Sequence, residues 1–252
     1  MTFGEKHPAV VSGKIASVQS LSGTGALRLA FEWFREQRPA VIYLPNPTWG
    51  NHKQLVEEAH LKYKEYPYWN AEKKSLNIDG FLKSLNTAPA GSVFLLHSCA
   101  HNPTGCDPTK EQWKQIADAV IKNGHFVLFD SAYQGFASGD FEEDAYSIRL
   151  FMELDIKFLL CQSFAKNFGL YGERVGALHA FTDSPDQSNR FISNISVIIR
   201  TIYSNPPKHG AYIVDTIYRN PELFKSFLVK FSQEFELISR LNSRKSLVEL
   251  SR

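Results

Sequence analysis

Between residues 40 and 161, apolar runs of about five residues alternate with helical patterns of roughly ten to fifteen, and this alternation constrains the fold more than any other feature of the chain. Residues 40–44, 92–97, 125–129 and 157–161 read as buried strands. Residues 51–59, 78–85, the stretch after Asp107 and a stretch from about 142 to 151 read as helices. Strand, helix and strand in succession dictate right-handed crossovers, hence a mostly parallel sheet with helices on both faces, an α/β chain of three layers. Residues 61–68 alternate polar and apolar and add a further strand; 15–19 and 175–181 add two more. Residues 26–34, 188–203 and 220–241 are helical in period, with Ser204, Asn205, Pro206 and Pro207 breaking the chain between the last two.

In such a sheet ligands bind beyond the carboxyl ends of the strands, so the residues that follow each strand matter most. After the first strand, Ser22, Gly23, Thr24 and Gly25 form a glycine-bearing turn that opens a helix. Its free backbone N–H groups suit a phosphate, although glycines also open helices for steric reasons alone. Asn46 lies between two prolines, and Trp49 follows in the same loop, where it either stacks on an aromatic ligand or caps the core. Asn102, in the turn Asn-Pro-Thr-Gly, aims an amide toward its strand's end. Asp107 before Pro108 suits a helix N-cap, and Thr109 with Gln112 suits a capping box. His97 and His101 read as packing or hydrogen-bonding residues, because no carboxylate or cysteine completes a metal set with them.

The strand at 125–129 ends on Asp130, with Tyr133 on the loop beyond. An acid at the tip of an apolar strand must be paired or hydrogen-bonded. The stretch QSFAKNFGLYGERVG, residues 162–176, then places Ser163, Lys166 and Arg174 close together. A lysine just past a buried strand offers an amine that attacks a carbonyl to form a Schiff base, while a hydroxyl and a guanidinium hold a phosphate. The plainer reading makes Lys166 a surface lysine and pairs Arg174 with Glu173. Against it stands the shared position of Trp49, Asn102, Asp130, Tyr133, Ser163 and Lys166 at one sheet edge. Together they describe a pocket for a flat, phosphorylated, carbonyl-bearing cofactor.

Composition narrows the partners. The formal charge is +2, with no basic cluster interleaved with aromatics, so neither nucleic acid nor an anionic membrane is expected. Cys99, Cys106 and Cys161 have no Cys-x-x-Cys spacing and read as reduced thiols of an intracellular protein. No apolar run reaches membrane-spanning length, and residues 1–13 lack the apolar core of a secretory signal. The chain enters structure soon after Met1 and stops in or just after a helical pattern, with SRKSLVELSR as a polar finish. A piece of a longer protein is the expectation.

The strings SGTGALRL, NPTWGNH, HSCAHNPTGCDPT, FDSAYQGFASGD, QSFAKNFGLYGERVGA and IIRTIYSNPP strongly resemble the aspartate aminotransferases, class-I enzymes of fold type I that depend on pyridoxal phosphate. The likeness runs from residue 18 to about residue 241. It implies that Lys166 bears the cofactor and later moves a proton. Asp130 would pair with the pyridinium nitrogen; Asn102 and Tyr133 would bond the ring oxygen. Ser22, Gly23, Thr24, Ser163 and Arg174 would hold the phosphate, and Trp49 would lie over the ring and touch the substrate. Arg200 would bind the substrate's side-chain carboxylate in the neighbouring subunit of a homodimer. The implied reaction is reversible amino transfer between L-aspartate and 2-oxoglutarate, giving oxaloacetate and L-glutamate. Residues 1–219 would form the cofactor-binding large domain, and 220–252 the start of a long helix toward a small domain. The family's N-terminal arm and the small domain with its α-carboxylate arginine have no counterpart, so the alternative is a chain that binds the cofactor weakly or serves only as a dimer partner. Ala165, Gly172 and the TWGNH string resemble the mitochondrial branch, but no Arg-rich transit peptide is evident, so the chain is cytoplasmic or mitochondrial on this reading.

Overall fold

The computed structural model describes residues 1–38 and 41–250, with side chains as far as residue 237. In chain order the elements are α1 (Pro8–Val11), β1 (Ile15–Leu21), α2 (Ser22–Gln37), β2 (Ile42–Asn46), α3 (Asn51–Glu58), β3 (Tyr63–Pro67), β4 (Trp69–Asn70), β5 (Ser75–Leu76) and α4 (Ile78–Thr87). There follow β6 (Val93–His97), α5 (Lys110–Asn123), β7 (Phe126–Ser131), α6 (Tyr146–Glu153), β8 (Phe158–Ser163), β9 (Val175–Phe181), α7 (Pro185–Ile202), α8 (His209–Arg219) and α9 (Pro221–Leu250). Seven strands make one sheet in the order β1-β9-β8-β7-β6-β2-β3. The five from β8 to β3 are parallel, and β9 runs antiparallel to both β8 and β1.

Each central strand is apolar on both faces because helices cover both. Phe94, Leu96, Phe129 and Leu160 pack with Trp113 and Ile116 of α5 and Ile148 and Phe151 of α6. Leu95, Leu128, Leu159 and Cys161 alternate to the other side and meet Leu27, Phe31 and Phe34 of α2 and Phe191 and Ile195 of α7. Each such side chain, fully buried, contributes about 1.5–3 kcal/mol. The pairing sets the strand tips side by side: His97 is opposite Asp130, and Ser131 is opposite Gln162.

Four details depart from the sequence reading. The glycine-bearing turn at Ser22 is already the first turn of α2, because Leu21 serves at once as the last residue of β1 and the N-cap of α2. Helix α5 is capped by Thr109 through a full capping box with Gln112, whereas the Asp107 carboxylate turns back to accept from the Ala100 and His101 N–H groups at 2.5 and 2.9 Å. Helix α8 has no counterpart in the sequence reading; it follows the double proline, and its short apolar stripe of Ile213, Val214, Ile217 and Tyr218 is only half-buried. The helix expected from residue 142 opens as a 3-10 turn, Glu143–Ala145, before α6. Of the expected strand at 40–44, Ala40 lies outside the described residues. Among the described residues no helix is long and apolar enough to cross a membrane.

Candidate active site

Strands β6, β7 and β8 end on polar residues beneath one cleft of about 660 Å³, part of it open to solvent. Its walls include Ser22, Gly23, Thr24, Trp49, Asn102, Asp130, Tyr133, Ser163, Lys166 and Arg174. Every cofactor-site candidate named from the sequence therefore shares this cleft. Arg200 does not: it sits exposed on α7 and donates to Ser204 Oγ.

One side of the cleft is an anion cradle at the N-terminus of α2. The Ser22 and Ser163 hydroxyls lie 2.9 Å apart, and the Ser22 N–H donates to Arg174 O at 3.1 Å. This approach depends on Gly176, which pairs with both Ser20 and Ser163: a Cβ there would come within 2.5 Å of the Ser22 carbonyl carbon. A Cβ on Gly23 would meet Ser163 Cβ at 3.1 Å. The first-turn N–H groups, which have no intrahelical acceptor, thus open beside two hydroxyls and a guanidinium. Arg174 is exposed, and its Nη1 donates to Tyr171 O at 3.0 Å.

The floor of the cleft holds the acid. Asp130 Oδ2 lies 3.1 Å from His52 Nε2, and His52, fully buried, has Nδ1 2.8 Å from Thr48 Oγ1. Burial alone would raise the Asp130 carboxyl; the His52 hydrogen bond, with the electrostatic influence of neighbours that include Lys166, outweighs it and holds the group below its ordinary value. Asp130 is therefore an acceptor, and His52 Nε2 carries the hydrogen between them. His97 Nδ1 accepts the Asn102 N–H at 3.2 Å, and burial pushes the ring well below the usual histidine range. The proton of this neutral ring sits on Nε2, a buried N–H with no hydrogen-bond partner among the described residues. The carboxylate that the sequence did not offer to the histidines comes from Asp130, whose oxygen lies within 4.8 Å of the ligand atoms of His52 and His97. His52 Nε2 and Asp130 Oδ2 are already bonded to each other, and His97 is engaged through Nδ1.

Lys166 occupies the loop after β8, half-buried. Its Nζ lies 4.2 Å from the centre of the Tyr133 ring. Burial, and then the Asp130 charge, raise the Tyr133 hydroxyl. Asn167, buried next to the lysine, donates to Gln134 O at 3.2 Å and ties this loop to the one that carries Tyr133. Trp49 answers to both of its readings. It packs partly against the α2-side core and lines the cleft, edge-on to His52 at 5.3 Å. The sequence reading missed His52 and Tyr171, which also lines the cleft. The signal available for His52 was Thr48 one helical turn before it.

The residues fit a phosphorylated, carbonyl-bearing ring. The cradle supplies anion donors, His97 Nε2 is a buried donor without a protein acceptor, Asp130 is a buried carboxylate, and Lys166 is the amine.

Residues 2–247 match the family aminotransferase class I and II. The mitochondrial aspartate aminotransferase of Dictyostelium discoideum is 46% identical over 250 residues, 99% of this chain and 58% of that protein. The structure of aspartate aminotransferase from Saccharomyces cerevisiae cytoplasm aligns with a TM-score of 0.95 at 45% identity, over 99% of this chain and 63% of that one. An aromatic-amino-acid aminotransferase from Burkholderia pseudomallei, covalently bound to pyridoxal phosphate, aligns with a TM-score of 0.92 at 38% identity, over 94% and 59%. The chain spans less than two thirds of the length of each of these relatives.

Proposed function

This chain belongs to aminotransferase class I and II, and from that premise we propose that it is the cofactor-binding part of an aspartate aminotransferase. Its partners on this reading are pyridoxal phosphate, dicarboxylic amino and oxo acids, and a second copy of the chain. The observation that carries the reading is the single cleft in which a lysine, a buried carboxylate and a two-hydroxyl anion cradle meet. Bound there, pyridoxal phosphate would supply a conjugated sink for the electron pair released at an amino acid's α-carbon. Ser22, Ser163, Arg174 and the first-turn N–H groups of α2 would hold its phosphate. Asp130, kept ionised by His52, would hold a ring N–H, and Trp49 would offer a flat face above the ring. Asn102 and Tyr133 would orient the ring oxygen. Lys166 Nζ would be first the nucleophile and then the carrier of the proton that leaves and returns. Arg200, outside the cleft, would serve a partner copy's substrate carboxylate by fork-to-carboxylate pairing. Residues 1–219 make up the proposed cofactor domain, with α9 leading out of it. The named relatives and the three free cysteines support a cytoplasmic or mitochondrial location.

The test is direct. The purified chain, saturated with pyridoxal phosphate and reduced with borohydride, should carry the cofactor on the peptide containing Lys166, and Lys166→Ala should abolish it completely. Turnover of aspartate with 2-oxoglutarate then separates a competent enzyme from a chain that only binds. No fixed cofactor on that peptide overturns the reading.

A further inference from the structure

Helix α9 carries Phe224, Phe227, Phe231 and Phe235 at spacings of three, four and four, which is one helical face. The Phe227 ring stacks on Phe168 with centroids 4.5 Å apart and planes 15° off parallel. Phe168 in turn meets Phe164 edge-on at 5.6 Å. Lys166 lies between those two phenylalanines in sequence, so its aromatic flanks touch each other and the later one joins the stack. Phe231 packs on Phe136 and Phe141, each at 4.8 Å. The loop that holds Phe136 follows Tyr133 and presses its backbone against α9: a Cβ on Gly135 or Gly139 would fall 2.8 Å from the Phe231 or Phe235 ring. From within, the buried Asp144 carboxylate accepts the N–H groups of Gly135, Ala137 and Ser138 at 2.7, 3.0 and 3.0 Å.

We propose that the aromatic face of α9 is a strut that sets Lys166 against Tyr133, with Phe227 a positioning residue for the lysine. The inference goes beyond cofactor binding, although the role it gives to Lys166 rests on the reading above. The geometry supports it because one helix holds both loops: Phe227 stacks on Phe168, two residues past Lys166, and Phe168 in turn meets Phe164, which precedes the lysine, Phe231 and Phe235 fix the segment after Tyr133, and the two meet where Lys166 Nζ lies over the Tyr133 ring. A displacement of α9 therefore moves the amine relative to the phenol, and neither loop has to unfold.

Three variants test it. Phe227→Leu removes the stacking plane but keeps an apolar filler, Phe227→Tyr restores the ring, and Val229→Ala alters the exposed side of the same helix. In the chain without cofactor, amide hydrogen exchange is followed on the peptide spanning residues 164–170, where the Gly169 N–H donates to Lys166 O. Phe227→Leu should speed exchange there by about three- to tenfold, the size of one lost aromatic pair. Strands β6 and β7 should stay at their wild-type rates, Phe227→Tyr should restore protection, and Val229→Ala should have no effect. In the cofactor arm, Phe227→Leu should lower the fraction fixed by borohydride on the Lys166 peptide at sub-saturating pyridoxal phosphate, again with rescue by tyrosine. Wild-type exchange at 164–170 in Phe227→Leu, or equal acceleration throughout the sheet, overturns the strut. If the wild-type chain itself fixes no cofactor, the functional reading fails, and the exchange arm still decides the strut.

Discussion

Along β6, β7 and β8, residues one step apart are equally buried and yet held by different forces. In mid-strand Leu95, Leu128, Phe129 and Leu160 are fully buried; at the tips His97 is 6% exposed, Asp130 7% and Ser163 3%. An apolar side chain is stabilised simply by leaving water. A polar one loses its hydration and must recover it bond by bond, from partners that arrive on other segments. Asp130 recovers it from His52 of α3, His97 from the Asn102 backbone, and Ser163 from Ser22 of α2. The recovery is incomplete, since His97 Nε2 and Ser131 Oγ find no hydrogen-bond partner among the described residues. The strand interiors thus supply the stability, and the tips give some of it up for atoms able to meet a ligand.

The interior half of that contrast is broken most severely by Phe129→Ala. The ring lies between Phe151, Phe158 and Trp113, with centroids at 5.1, 5.4 and 6.2 Å. Its loss should cost about 3–5 kcal/mol in denaturant unfolding. Molecules that remain folded should still fix pyridoxal phosphate on the Lys166 peptide, because no cleft atom is removed. A loss below about 1 kcal/mol would mean that the core does not carry the stability assigned to it.

The same contrast explains what could be read from the sequence. Strand interiors announce themselves locally: VFLLH, FVLF and FLLC are apolar runs, and all three became central strands. The tips were legible as residue types, because an acid after such a run has to be used, and the matched strings gave each a role. Their partners were not legible. His52 and Asp130 are 78 positions apart, and nothing in either segment specifies the other. Asp107 misled for a related reason. Its place before a proline fits a cap, but the Ala100 and His101 N–H groups, in a tight loop seven and six residues earlier, take its carboxylate as their acceptor.

Acid separates the two regions next. His101 is pushed down to about 4 and His97 well below its usual range, both chiefly by burial. A histidine whose folded value is depressed takes up its proton more readily when unfolded, so its contribution to stability is complete above about 6.5 and is lost as the pH falls toward the folded value. His101 alone should therefore lower the unfolding free energy by roughly 2 kcal/mol between pH 7 and pH 5. His179, also pushed to about 4 by burial, acts in the same sense. Asp130, held below its ordinary value, adds a further loss only below about pH 4. Denaturant titrations at fixed pH should show the slope beginning near 6.5. A flat profile down to pH 5 would show that the buried rings are hydrated or already charged, and the tips would no longer differ from the surface.

The finest division runs between Thr109 and Asp107, two residues apart on one connection. Thr109 closes the α5 capping box with Gln112, at 3.2 and 2.9 Å for its two hydrogen bonds, and so belongs to the scaffold. Thr109→Ala should cost about 1 kcal/mol of stability and leave the affinity for pyridoxal phosphate unchanged. Asp107 holds the backbone of Ala100 and His101, just before Asn102 at the cleft wall. Asp107→Ala should instead free the loop that presents Asn102 and weaken cofactor binding severalfold, read as the midpoint of borohydride fixation. If Thr109→Ala shifts that midpoint as far as Asp107→Ala does, loop and helix act as one unit, and the line between the scaffold and the strand tips is drawn in the wrong place.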